Sequence, residues 1–439
     1  MQLPRMILTA TITCLWLCGP CLSKPAATAA RQPVAWQSPV SSVYCAQVFA
    51  KVDAIVRKNF VDSRVATVEW PEATKQHKKR ILASRTTVEL DERMNALIKT
   101  LHTSHCEFAT PNDEICYFLR SLFSQFGKKR APLMTFTGAI TGGVNCTGRQ
   151  VRYVLDGSPA SASGILPGDE IIAVDGRPYV GQLSFSGTAG RTVMLTVKRN
   201  NSETRIRLKP ELKDAYSCYV EAIEKSVRVM KTADGVIGYV HLWSGGQGAH
   251  EMLENLLGGK LQSTEGLILD LRDGYGANFF TDLDYFYRPA AGYPPTTMTW
   301  RSGKQDKTVV FYDKPVVALI NGGVRSGKEL LAFSLKRTGR AKLVGERTAG
   351  AVVAGKLFPI DSRTYLYLAV AAGSVGGVNL EGRGVDPDVV VAAGCSKTER
   401  DRQLAEAEKL VREQVRARKD AAAAEALPAG KTPELPAKK

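Results

Sequence analysis

Four short apolar runs, VIGYVHL (236–242), GLILDLR (266–272), PVVALI (315–320) and AKLVGE (341–346), alternate with stretches of helical spacing. Strand-length runs that alternate with helical stretches argue for α/β layering from about Ala215 to Cys395. The rest of the chain follows other rules. From Trp36 to Phe126 helical spacing dominates: in VELDERMNALIKTLHTSH, Leu90, Met94, Leu97, Ile98 and Leu101 recur at three- and four-residue steps on one face. From Met134 to Leu212 short alternating runs, QVRYVL, EIIAVDG and TVMLTVKR, are punctuated by glycine and proline and read as a small β-rich region. After Cys395 comes a charged, Ala-rich helical segment, and the final ALPAGKTPELPAKK has nothing to bury and reads as disordered. With 439 residues, 44% hydrophobic and 23% charged, the chain has enough apolar material for two or three domains.

Residues 1–29 stand apart. A weakly basic start, the apolar MILTATITCLWL and the small-residue ATA at Ala27 to Ala29 read as a secretory signal peptide, which places the mature protein in the periplasm or outside the cell. Cys18 and Cys21 lack the flanking residues of a lipidation site. No later run reaches membrane-spanning length. Of nine cysteines, Cys45, Cys106, Cys116, Cys146, Cys218 and Cys395 remain after removal of the signal, so one to three disulfides are expected in an oxidising compartment. A Cys106–Cys116 bridge would close the loop after His105. The five histidines show no metal-ligand spacing with carboxylates or cysteines, so no metal and no cofactor are expected. The formal charge of +16 falls to +14 once Arg5 and Lys24 leave. The basic residues are scattered and no nucleic-acid motif accompanies them; they read as a solvated surface, with an anionic membrane surface as the candidate peripheral contact. Oligomeric state is not written in any motif.

The segment DGSPASASGILPGDEIIAVDGRPY, Asp156 to Tyr179, resembles the middle of a PDZ domain. The resemblance implies strand addition of a peptide, with TGAITG (137–142) in the place of the carboxylate-receiving loop and Gly138, Ala139 and Ile140 as substrate-binding residues. That loop departs from the usual Gly-Leu-Gly-Phe pattern.

A PDZ segment followed by an α/β core is the order of carboxy-terminal processing proteases and their tricorn-like relatives. Three ordered motifs carry that resemblance: the Asp-Leu-Arg at Asp270 to Arg272 with Gly276 in the following turn, NGGVRSGKELLAF around Ser326 and Glu329, and NLEGRGVDPDVVV. The implied fold is multidomain α+β: a signal peptide (1–29), an N-terminal helical region (30–130), a PDZ domain (131–213), a ClpP/crotonase-like α/β protease core (214–396) and a basic helical and disordered tail (397–439). Ser326 then becomes the nucleophile, at a helix N-terminus where free N–H groups favour developing negative charge. Gly327 and Gly276 are the expected oxyanion donors. By itself, a serine at a helix start reads as an N-cap.

A serine hydroxyl needs a base. Many carboxy-terminal processing proteases use a lysine that here corresponds to Ala351 in GERTAGAVVAGK. Lys328 is two residues from Ser326 on the same helix and does not face it, and Lys356 lies five residues past the expected position. The tricorn-like branch uses a Ser-His pair before the PDZ segment, and LHTSHCEF supplies Ser104 and His105. The resemblance makes His105 the base, held by Ser104, with Glu381 completing the polar chain. His102, His241 and His250 match no motif. The expectation is an exported serine endopeptidase that acts on polypeptides, binding their C-termini through the PDZ segment. A PDZ scaffold without catalysis is the competing expectation, favoured by Ala351 and by the basic Arg325 and Lys328 beside the serine.

Overall fold

A computed structural model describes residues 38–125, 131–142, 148–277, 284–287, 296–308, 310–393 and 401–426. The signal-peptide segment, Cys146, Cys395 and the final dozen residues lie outside them.

The sheet that carries the site has six strands in the order Arg228–Lys231, Val236–His241, Gly266–Asp270, Val316–Ile320, Ala341–Gly345, Val389–Val390. The first pair is antiparallel and the remaining pairs are parallel. Every residue of Gly266–Asp270 and Val316–Ile320 is buried, which explains their continuous apolar sequence: a parallel strand covered on both faces has no polar side. Leu267, Leu269, Ala318 and Ile320 pack on one face with Leu253 of the helix Gln247–Gly258 and Leu331 and Leu335 of the helix Gly327–Arg337. Ile268, Val317 and Leu319 pack on the other with Ala407, Val411 and Val415 of the helix Arg402–Ala426. That last helix looks like a charged appendage in sequence, yet its four-residue apolar spacing closes the second face of the sheet.

The helices Ser42–Asn59, Trp70–Leu82 and Thr87–Ile98 build a second core, and the expected stripe Leu90, Met94, Leu97, Ile98 and Leu101 is buried in it. This core is shared with Phe108, Leu366, Leu368 and Ala369 of a three-stranded antiparallel sheet, Glu107–Ala109, Tyr365–Ala371 and Ala354–Pro359. The pairing of Glu107–Ala109 with Tyr365–Ala371 carries the loop around His105 to the C-terminal half of the chain.

The β-rich region has a four-stranded antiparallel sheet, a pair Ala139–Thr141 and Val151–Val154, and a short helix Pro159–Ala162 capped by Ser158. Val151, Ile171, Leu195, Val197 and Leu208 are among its own core residues. Its entry strand Leu133–Phe136 pairs with its exit strand Glu211–Asp214, so both ends leave at one place.

The expected Cys106–Cys116 bridge is corrected: Cys45, Cys106, Cys116 and Cys218 are free thiols, while Cys146 and Cys395 lie outside the described residues. Cys106 leads into the strand Glu107–Ala109, whereas Cys116 is buried on the helix Glu114–Ser124 with its Sγ 3.8 Å from the Arg363 carbonyl. No helix among the described residues is long and apolar enough to cross a membrane.

Candidate active site

Ser326 ends a turn after the buried strand Val316–Ile320 and precedes the helix Gly327–Arg337, with φ 55° and ψ −131°. Such backbone costs a non-glycine residue about 1–3 kcal/mol and persists only where its surroundings enforce it. Asp273 and His105 also have positive φ, 51° and 57°. The Ser326 side chain does not cap its own helix, so the plain N-cap role is absent.

Two clasps hold this geometry. The Ser326 N–H donates to the Ala351 carbonyl at 2.7 Å. One turn later the fully buried Glu329 accepts from the N–H groups of Gly350 and Ala351, both at 2.7 Å, and from the Thr348 hydroxyl. Burial raises the Glu329 carboxyl while these donors oppose the rise. Ala351, the position without the lysine, therefore still serves through its backbone.

Gly276 lies against the nucleophile. A Cβ there would sit 2.6 Å from Ser326 Cβ, 2.8 Å from Gly327 N and 2.4 Å from the Arg325 carbonyl oxygen, so only glycine leaves the serine room. Asn321 and Asp273, which no motif singled out, tie this turn to the serine turn. Asn321 Oδ1 accepts from the N–H groups of Asp273 (3.1 Å) and Gly323 (2.9 Å), and its amide donates to Asp273 Oδ2 at 3.1 Å. Arg152, from the β-rich region, donates to Asp273 Oδ1 at 3.1 Å. Lys328 is fully buried and donates to the carbonyls of Leu242, at 3.0 Å, and Asp273. Burial pushes its ammonium down to about 7, with Asp273 and Asp270 opposing. Its contacts make it a strut for the turn that contains Gly276. Lys356 is exposed, over the Phe358 ring at 5.3 Å.

Ser104, His105 and Glu381 are brought together. Ser104 Oγ lies 2.8 Å from His105 Nδ1 and donates to Glu381 Oε2 at 3.1 Å, and the Ser104 N–H donates to Glu381 Oε1 at 3.0 Å. Glu381 Oε2 also accepts from the N–H groups of Val352 (2.7 Å) and Val353 (3.2 Å). A continuous path thus runs from the Ser326 backbone through residues 351–353 to Glu381, Ser104 and His105. Burial and the charge of Arg325 lower His105 to about 4, against the opposing pull of Glu381. This differs from the unperturbed value near 6.5 expected of a histidine on an exposed turn. The imidazole packs against Tyr367, ring centroids 5.4 Å apart.

Of the PDZ-loop residues, Gly138 has φ 84° and a Cβ there would overlap Ser158, while Ile140 is buried in the main cluster with Phe136 and Tyr153. The Ile140 side chain therefore faces the core, while Ala139 is half-buried. Asp270 and Arg272 form a buried ion pair at 2.5 Å, and Arg272 continues to Asp401 and Gln403, anchoring the C-terminal helix. Burial raises the Asp270 carboxyl, but Arg272 and His241 outweigh it and hold it below the usual range. His241 stacks on Trp243 at 3.5 Å and bonds the Arg272 carbonyl, and His250 bonds Tyr285. His102 ends the Lys99–Leu101 turn with φ 48°. Among the described residues no cluster of three metal-ligating side chains occurs.

The helix-flanked parallel sheet, with a strained serine between strand and helix, has the layout of a serine hydrolase. Residues 236–391 match peptidase family S41, a family of serine-type peptidases. The carboxy-terminal-processing protease of Bartonella bacilliformis is 27% identical over 259 residues, covering 54% of this chain and 57% of that protein. The corresponding protease of Synechocystis sp. is 25% identical over 341 residues, 72% of this chain and 74% of its own. Among solved structures, the photosystem II D1 C-terminal processing protease aligns at a TM-score of 0.48 with 19% identity, covering 80% of this chain and 94% of that one. The chain thus spans a little over half the length of the Bartonella relative.

Proposed function

We propose that the protein is an exported serine endopeptidase in which Ser326 attacks a peptide carbonyl, His105 takes and returns the proton, and water resolves the acyl-enzyme. The supporting observation is the hydrogen-bonded line from His105 through Ser104 to Glu381, joined through residues 351–353 to the backbone of Ser326. Gly327 and Gly276 are the proposed oxyanion donors, supported by their contact beside the serine. Residues 131–213 act as a PDZ-type module through Gly138, Ala139 and Ile140, binding substrate C-termini as the names of the relatives suggest of those proteins. Export rests on the N-terminal segment 1–29, and a peripheral anionic membrane contact on the basic surface.

The test is fluorophosphonate labelling with peptide hydrolysis on the full mature chain. Wild type should be labelled at Ser326 and cleave peptides, and Ser326→Ala should do neither. A wild type that binds peptides, takes no label and cleaves nothing overturns the reading in favour of a scaffold. Deleting residues 131–213 should lower cleavage of long C-terminally tailed substrates more than of short peptides; equal losses count against delivery.

A further inference from the structure

Arg325 immediately precedes Ser326, and its Nε is buried without a hydrogen-bond partner. Among the described residues no carboxylate lies within ion-pair distance of its guanidinium. The arginines nearby are different: Arg152 pairs with Asp273, and Arg272 with Asp270 and Asp401. A buried donor left unpaired is costly, and a native fold normally satisfies it.

The carboxyl groups that could neutralise Arg325 are otherwise engaged. Glu381 already accepts from the Ser104 hydroxyl and from the N–H groups of Ser104, Val352 and Val353. Burial, with Asp113 adding to it, pushes Glu107 up to about 7, so it keeps its proton through the mildly acid range. The charge of Arg325 acts on His105, Glu107, Tyr367 and the buried Lys328. Arg325 adjoins the proposed nucleophile in the chain, where consecutive Cα atoms are about 3.8 Å apart.

We propose that Arg325 is a specificity-determining residue that receives a substrate carboxylate beside the scissile bond. A planar guanidinium takes a carboxylate through paired hydrogen bonds, and the ligand would supply the acceptor that the fold withholds. Two sources share this chemistry: an Asp or Glu side chain, and the free C-terminus of a short leaving segment. The proposal rests on Ser326 as nucleophile.

The experiment uses the full mature chain and one core peptide in three forms: an internal Glu with an amidated terminus, Gln in its place with the same terminus, and the Gln peptide with a free C-terminus close to the scissile bond. Binding to Ser326→Ala is read by fluorescence anisotropy, and kcat/KM is read on wild type. At least one carboxylate form should exceed the neutral amide by roughly 10- to 100-fold, as expected for a hydrogen bond to a charged group. The form that does so identifies the source. Arg325→Met should erase the difference, and Arg325→Lys should retain part of it. Equal affinity for all three peptides overturns the proposal without any variant, and so does a preference that survives Arg325→Met. If Ser326 takes the fluorophosphonate label while the peptides are equivalent, only the Arg325 site fails; if the carboxylate preference is present without labelling, only the nucleophile fails.

Discussion

The Ser104 hydroxyl stands between His105 Nδ1, at 2.8 Å, and Glu381 Oε2, at 3.1 Å. A hydroxyl has one proton, and with that proton on the Glu381 side the imidazole must donate from Nδ1, leaving the Nε2 lone pair to accept. His105→Ala should lower kcat by about 10²- to 10⁴-fold, the usual contribution of a positioned base. The double variant with Ser326→Ala should be no worse than Ser326→Ala alone, because groups that act as one unit are not additive. Glu381→Gln and Ser104→Ala should lose less than His105→Ala. Full turnover in His105→Ala, with loss in Lys356→Ala, would remove His105 from the mechanism.

The acid limb of activity follows from the burial of the same histidine. An exposed imidazole titrates near 6.5, whereas burial and Arg325 hold His105 at about 4. The neutral, proton-accepting form therefore persists through the mildly acid range, and kcat/KM should stay level from pH 7 to about 5 and fall toward pH 4. Stability has the same sign: the contribution of this histidine is present above the unfolded value and lost as pH falls through about 4. A limb near 6.5 in wild type would show that the free enzyme exposes the imidazole. Arg325→Met should move the limb upward by removing a like charge.

Gly276→Ala tests the contact beside the nucleophile. The added methyl meets two backbone atoms and the Ser326 Cβ inside 3 Å, and neither turn can retreat without breaking the Asn321–Asp273 bonds. Loss of one oxyanion donor typically costs about 10²- to 10³-fold in kcat. The expectation is a loss of that size with the fold retained by circular dichroism. An unchanged kcat would show that the turn does not approach the reacting carbonyl.

The free state of Cys106 and Cys116 gives a further expectation. Denatured protein alkylated without reductant should carry label on both. A crosslinked peptide joining them would contradict the fold around the His105 loop.

The sheet was legible because its central strands are buried on both faces, which forces continuous runs such as GLILD and VVALI. The serine turn was legible through Gly276 and Ser326, where sterics narrow the choice of residue. Other features left no local mark. Asn321 and Asp273 meet across 48 positions, and an ordinary polar residue in a loop does not announce its partner. Lys328 reads as a solvated helix residue until the Leu242 and Asp273 carbonyls are known to surround it. The role of Arg402–Ala426 was hidden by the charges on its outer face, since its inner face needs only Ala407, Val411 and Val415. Assigning Cys106 and Cys116 to a bridge failed because even numbers and export constrain cysteines only when their backbones meet.

Glu114 offers a control on the turn beside the serine from a residue outside it. Its Oε2 accepts from the Tyr275 hydroxyl at 2.8 Å, while its Oε1 is buried without a partner. Tyr275 stacks on Phe118 with centroids 4.1 Å apart, donates its N–H to the Trp243 carbonyl at 3.0 Å, and directly precedes Gly276. Burial pushes Glu114 up to about 7, against the hydrogen bond from Tyr275. Between the ordinary carboxyl value and about 7 the folded protein holds a proton that the unfolded chain releases, so this stability is full below about pH 4.5 and is lost as pH rises through about 7. Glu114→Gln keeps an acceptor for Tyr275 but cannot titrate, so its Tm should lose part of the decline with pH that wild type shows across that window. Tyr275→Phe removes the hydroxyl that fixes the turn and should lower kcat several-fold with little change in KM. A KM effect alone would place Tyr275 in substrate binding, and an unaltered Tm profile in Glu114→Gln would show that Glu114 is ionised in the folded protein at neutral pH.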